Sequence, residues 1–123
     1  MARKQLGSAP SADTDGTRKQ DLDVAPNTQT ANYTLVLGDS GKAVEMSNAA
    51  SRTITIPPNS SVAFPVGTVI ELARTGTGAV TVVAGSGVTV RNSAAVLTLR
   101  AQYSVASIRK RATDEWIIAG DLG

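Results

Sequence analysis

The chain contains no cysteine and no histidine. Their absence removes disulfide bridges, thiolate nucleophiles, imidazole bases and the commonest transition-metal ligands together. Aromatic side chains are scarce: Trp116, Tyr33, Tyr103 and Phe64 are the whole complement of 123 residues. A core must therefore be assembled from Val, Ile, Leu and Ala. No stretch reaches the roughly 18 to 20 apolar residues that span a bilayer, and the opening MARKQLGSAPSADTDG lacks the apolar run of a signal peptide. A soluble protein made in the cytosol, with no membrane contact, is the expectation. No sign of charge dominates either, since 12 basic and 10 acidic residues give a net +2 spread along the chain. That balance offers no electrostatic footprint for nucleic acid.

What is present divides near residue 31. Residues 1–30 are rich in Ser, Thr, Asp, Gln and Pro, and Leu6, Leu22 and Val24 are their largest apolar side chains. Such a segment cannot bury a core of its own and reads as an extended arm. From Tyr33 onward the pattern has period two: YTLVL, KAVEM, RTITI, VIEL, VTVV, VTVR, LTLR, SVASIRKRA and EWIIAG each alternate apolar with polar or β-branched residues. Turn signals GDSG, SNAAS, TGTG, GSG, NSAA and TDE separate these runs. About eight or nine short strands between frequent Gly-containing turns predict an all-β domain over residues 31–123, an antiparallel sandwich or barrel. A core this thin in large side chains favours oligomerisation, because a small domain buries only about 60–70% of its surface.

The stretch IPPNSSVAFPVGTVIEL, residues 56–72, interrupts the strands with two proline corners. Pro57 and Pro58 end the strand that closes at Ile56, since proline offers no amide donor to a ladder. Between the corners, Val62 and Phe64 are placed to fold back as a plug or to press on a neighbouring subunit. In the basic run IRKRA, Arg109 and Arg111 share one strand face while Lys110 points the other way. Without interleaved aromatics this is no nucleic-acid surface; it predicts a solvated face paired with Asp114 or Glu115, or arginines meeting carboxylates of a neighbouring subunit.

Enzymatic signals are poor. Ser86 in AGSGV lacks the spacing of a nucleophile elbow, and no histidine exists to activate it. Asp39, Glu45, Glu71 and Asp121 are isolated in sequence, and nothing selects a carboxylate pair among them. DTDG at 13–16 lacks the later ligands of a calcium loop. GTGAV and GSGV lie between strands and read as hairpin turns, not phosphate cradles. No enzyme activity, metal or cofactor is expected.

The order of YTLVLGDSGKAVEM, PPNSSVAFPVGT, VVAGSGVTV, LRAQYS and KRATDEW resembles a small β domain found in structural proteins of tailed bacteriophages, particularly those of actinobacterial hosts. The likeness covers roughly three quarters of the chain. PSADTDGTRKQDLD, residues 10–23, is similar to the P-x-x-D-A-A-T-K-K-Y-V-D segments of phage fibre and minor tail proteins, with Thr17, Arg18, Lys19 and Asp23 on matching positions. It departs from them at Gly16, where alanine is usual, and by an extra residue before LD.

The resemblance implies a virion component assembled in the host cytoplasm. The expected form is a homotrimeric capsid decoration protein whose arm binds the major capsid protein, with Arg3, Lys4, Arg18 and Lys19 facing shell carboxylates and Leu6 and Leu22 as apolar anchors. Val62, Phe64, Arg109 and Arg111 are its expected subunit-interface residues. The alternative is a minor tail or fibre-tip protein that contacts the host surface and is attached by the same arm.

Overall fold

Alternation of Val, Ile and Thr suits a pleated surface buried on one side, because branched side chains lose little freedom in a strand. The computed structural model describes residues 24–93 and 95–123. Among them lie ten strands: β1 (Pro26–Gln29), β2 (Tyr33–Thr34), β3 (Ala43–Met46), β4 (Arg52–Ile56), β5 (Val69–Arg74), β6 (Val80–Ala84), β7 (Thr89–Arg91), β8 (Thr98–Leu99), β9 (Val105–Ala112) and β10 (Glu115–Gly120). One 3-10 turn, Leu37–Asp39, stands between β2 and β3. A six-stranded sheet has the order β1-β3-β5-β9-β10-β7 and a four-stranded sheet the order β2-β4-β6-β8. The all-β sandwich read from the sequence is therefore the fold.

Successive strands from β1 to β6 alternate between the two sheets, and each is parallel to its neighbour within its sheet. The first half of the domain is thus a flattened coil, each turn adding one strand to either layer. Parallel neighbours need a crossover. Here the opposite sheet provides it, so no helix is required. Antiparallel pairing is confined to the second half, where the β9–β10 hairpin packs on β5 and β8 packs on β6, and even there β7 runs parallel to β10. The sheets are accordingly mixed, not wholly antiparallel as the turn density suggested. TGTG and GSG are not hairpin turns, because β5 and β6 lie in different sheets, as do β6 and β7. They are corners of the coil.

These corners stack. Asn48 Nδ2 donates to Thr30 O at 2.6 Å, and Gly78 N–H donates to Asn48 O at 2.8 Å, linking successive turns. A Cβ on Gly78 would stand 2.1 Å from Ala50 O, a backbone atom that cannot swing aside. Gly78→Ala is expected to cost about 1–3 kcal/mol by overpacking, read as a fall in Tm of about 4–8 °C per kcal/mol. An unchanged Tm would show that the corners do not need this close approach.

Inward side chains of both layers form one core. Val44 and Met46 from β3, Ile54 and Ile56 from β4, Ile70 and Leu72 from β5, and Val80 and Val82 from β6 are all buried. Ile108, Trp116 and Ile118 close it from the hairpin, and Leu35 and Leu99 fill its ends. Each such side chain contributes about 1.5–3 kcal/mol by leaving water. The sheet begins before the expected boundary at residue 31, since Pro26–Gln29 of the expected arm pairs with Ala43–Met46. Proline at the first residue of an edge strand leaves no ladder donor missing, and the polar side chains of β1 are used in hydrogen bonds.

Candidate functional site

Three places in the domain gather polar or exposed chemistry. The first is the proline-cornered loop, 57–68, which is the enlarged corner between β4 and β5. Phe64 is 2% exposed and meets Trp116 edge to face, ring centroids 5.5 Å apart and planes at 87°. Val62 packs partly buried against the same core. The loop folds back as a plug, and the Phe64 side chain is buried within its own chain.

Lys110 holds this loop down. It occupies an inward position of β9, directly across from Trp116, and is 3% exposed. Its Nζ donates to Asn59 Oδ1 at 2.6 Å and to Phe64 O at 2.7 Å. Asn59 N–H donates to Asp114 Oδ1 at 2.7 Å, and Gly67 N–H to Lys110 O at 2.7 Å. No carboxylate among the described residues pairs with the lysine. Alternation alone places Lys110 opposite its arginine neighbours, but only the position of the loop shows what it meets.

The second place is a buried carboxylate. Asp39, 2% exposed, accepts from Asn27 Nδ2 at 2.7 Å, Tyr33 OH at 2.8 Å and its own turn's Val36 N–H at 2.9 Å. Burial, and then the bond to Asp39, push the Tyr33 phenol above its ordinary range. The cluster ties β1 and β2 to the 3-10 turn, so its work is to fasten the first described turn of the coil. Asp39 is an isolated acid in the sequence because its partners are the neutral groups of Asn27, Tyr33 and the Val36 backbone, none of which marks a charged site.

The third is the outer face of the six-stranded sheet. Two shallow depressions of about 360 and 340 Å³ share Val69 and Ser107. Val24, Lys42 and Glu71 line one end, and Arg109, Ile117 and Ala119 the other. Val69 and Val105 are 46% and 39% exposed on this face. The two arginines of IRKRA part company here. Arg111 pairs with Glu115, which also takes Arg91 at 3.0 Å, whereas Arg109 has no ion pair among the described residues. Bonds from Arg91 and Arg111 hold the Glu115 carboxyl below its ordinary range, and Arg100 with Ser104 does the same for Asp121. Their small stabilisation is present above the unfolded carboxylate range and fades as pH falls through the depressed folded values.

Among the described residues no group of three or more His, Cys, Asp or Glu is arranged to hold a metal ion, and no helix is long and apolar enough to cross a membrane. Arg3, Lys4, Leu6, Arg18, Lys19 and Leu22 lie outside the described residues. No family model matches the chain, and neither a curated protein nor a solved structure matches it.

Proposed function

We propose that this chain is a structural protein of a bacteriophage virion, a capsid decoration protein that binds the outer head surface through its N-terminal segment and stabilises the shell. The sequence resemblance motivates the reading. The observation that supports it best is how the labour is divided: among the described residues the buried apolar side chains begin at Leu35, while a polar segment joins the domain through edge strand β1. A domain that folds on residues behind its tether can be carried by that tether. Copies held at one foothold multiply weak contacts through effective concentration, and we take the assembly to be a homotrimer. The exposed apolar strip around Val69 and Val105, with Arg109 and Glu71 beside it, is the face we assign to contact between copies.

Removing residues 1–24 is expected to abolish binding to purified heads while circular dichroism and Tm stay those of the full chain. Full retention on heads by the shortened protein would overturn the reading. Counting copies per particle separates it from a minor tail protein: a decoration protein is present in numbers comparable with the shell subunits, a tail-tip protein in a handful.

A further inference from the structure

Lys110 is the one buried basic side chain among the described residues, and it is also a nucleophile. Charged, it stands out of water with two neutral acceptors and, among the described residues, no carboxylate partner, an unfavourable arrangement for an ammonium group. Unprotonated, it is an amine resting against a primary amide. We propose that Lys110 and Asn59 become joined by an isopeptide bond, formed by the folded chain on itself without any added enzyme.

The geometry brings the reactants together. Nζ lies 2.6 Å from Asn59 Oδ1, so a turn of the amide about its Cβ–Cγ bond presents the carbon to the nitrogen. Asn59 is held from behind by its backbone bond to Asp114, and Lys110 by its place in β9. Fixing two groups in this way is equivalent to effective concentrations of about 10⁵–10⁸ M for well-oriented pairs. The nearby Phe64–Trp116 pair keeps this end of the core apolar.

The chemistry balances within the pair. The amine adds to Cγ, forming the new carbon–nitrogen bond, and the tetrahedral carbon collapses with loss of its bond to Nδ2. A hydrogen given up by Nζ passes to Nδ2, which departs as ammonia through the partly exposed side of Asn59. No oxidant, reductant or co-reactant is needed. The product suits the site better than the reactants. A secondary amide keeps one N–H, and Phe64 O, at 2.7 Å, is there to accept it. The buried positive charge is gone. In a chain with no cysteine, the bond fastens the enlarged corner loop to the hairpin and closes a long loop in the unfolded chain, as a disulfide would.

Intact-mass spectrometry of the purified full-length chain tests this. The expected mass is lower than the sequence mass by one ammonia, and trypsin is expected to yield a branched peptide joining the Asn59 segment to the Lys110 segment, uncut after Lys110. Lys110→Arg, which keeps the donor and the charge but removes the amine nucleophile, restores the full mass. If that variant fails to fold, the wild-type mass and the branched peptide decide alone. A wild-type chain of full sequence mass overturns the proposal. So does a missing ammonia traced to a succinimide at Asn59–Ser60 or to any other asparagine.

Discussion

Phe64→Ala is expected to lower the stability of the domain by about 3–5 kcal/mol, the usual cost of deleting a fully buried phenylalanine ring. The ring is one of two large aromatics in the core and makes its edge contact with the other, Trp116. Such pairs add about 0.5–1.5 kcal/mol beyond area burial. The loop around it cannot collapse into the space, because Pro57, Pro58 and Pro65 fix its corners while Lys110 holds the Phe64 carbonyl. A domain of this size has only about 5–15 kcal/mol in total, so the variant loses a large share of its margin. Urea unfolding measures the change directly as a lower midpoint with the slope preserved. An unchanged midpoint with an altered oligomer size would return Phe64 to a subunit interface.

The second large effect is expected at the first described turn of the coil. Asp39→Ala strands three donors that now meet one carboxylate, the Asn27 amide, the Tyr33 hydroxyl and the Val36 N–H. Each buried polar group left without a partner costs about 1–3 kcal/mol. Since Asn27 and Tyr33 are only partly buried, water recovers some of this, and a loss of about 2–4 kcal/mol is the expected result. Tyr33→Phe removes one donor and leaves the carboxylate two, so it is expected to cost about 1 kcal/mol. A spectral titration of the phenols provides a second readout. In Asp39→Asn the Tyr33 phenol is expected to ionise at lower pH than in the parent, though still above its ordinary range, because burial is the larger cause of its elevation. A Tyr33 titration unmoved by the substitution would show that the bond to Asp39 is not made.

The strands themselves were legible in the sequence. RTITI, VIEL and SVASIRKRA bury Ile54, Ile56, Ile70, Leu72 and Ile108 as alternation required, with Thr53, Glu71 and Arg109 on the opposite faces. Alternation reports which side of a strand is buried, but it carries no information on the direction of the neighbour. The parallel coil was therefore hidden. Gly-rich turns announced reversals of the chain without saying whether the next strand joins the same layer or crosses to the other. PNTQ, the sequence of β1, was hidden for a different reason: at an edge its side chains earn their place by hydrogen bonding, as Asn27 does, and leave no hydrophobic signature. The site residues divide similarly. Phe64 was readable as an apolar side chain between prolines. Lys110 draws its meaning from groups far away in sequence, which no local spacing encodes. Asp39, by contrast, meets Val36, Tyr33 and Asn27 within twelve residues, and it is the fold of that short segment that brings them together.

The edge position of β1 has a mechanical meaning. A pull applied at Val24 arrives in this strand, which among the described residues is paired on one flank, to β3, and latched by Asn27 to Asp39. The apolar core lies behind that latch. Under a rising pull β1 comes away first and releases about 3.3–3.6 Å of slack for each residue freed. The domain thus places a short, re-formable extension between Val24 and its core, so a sudden jolt from that side is absorbed at four residues of strand before it reaches the two-layer body.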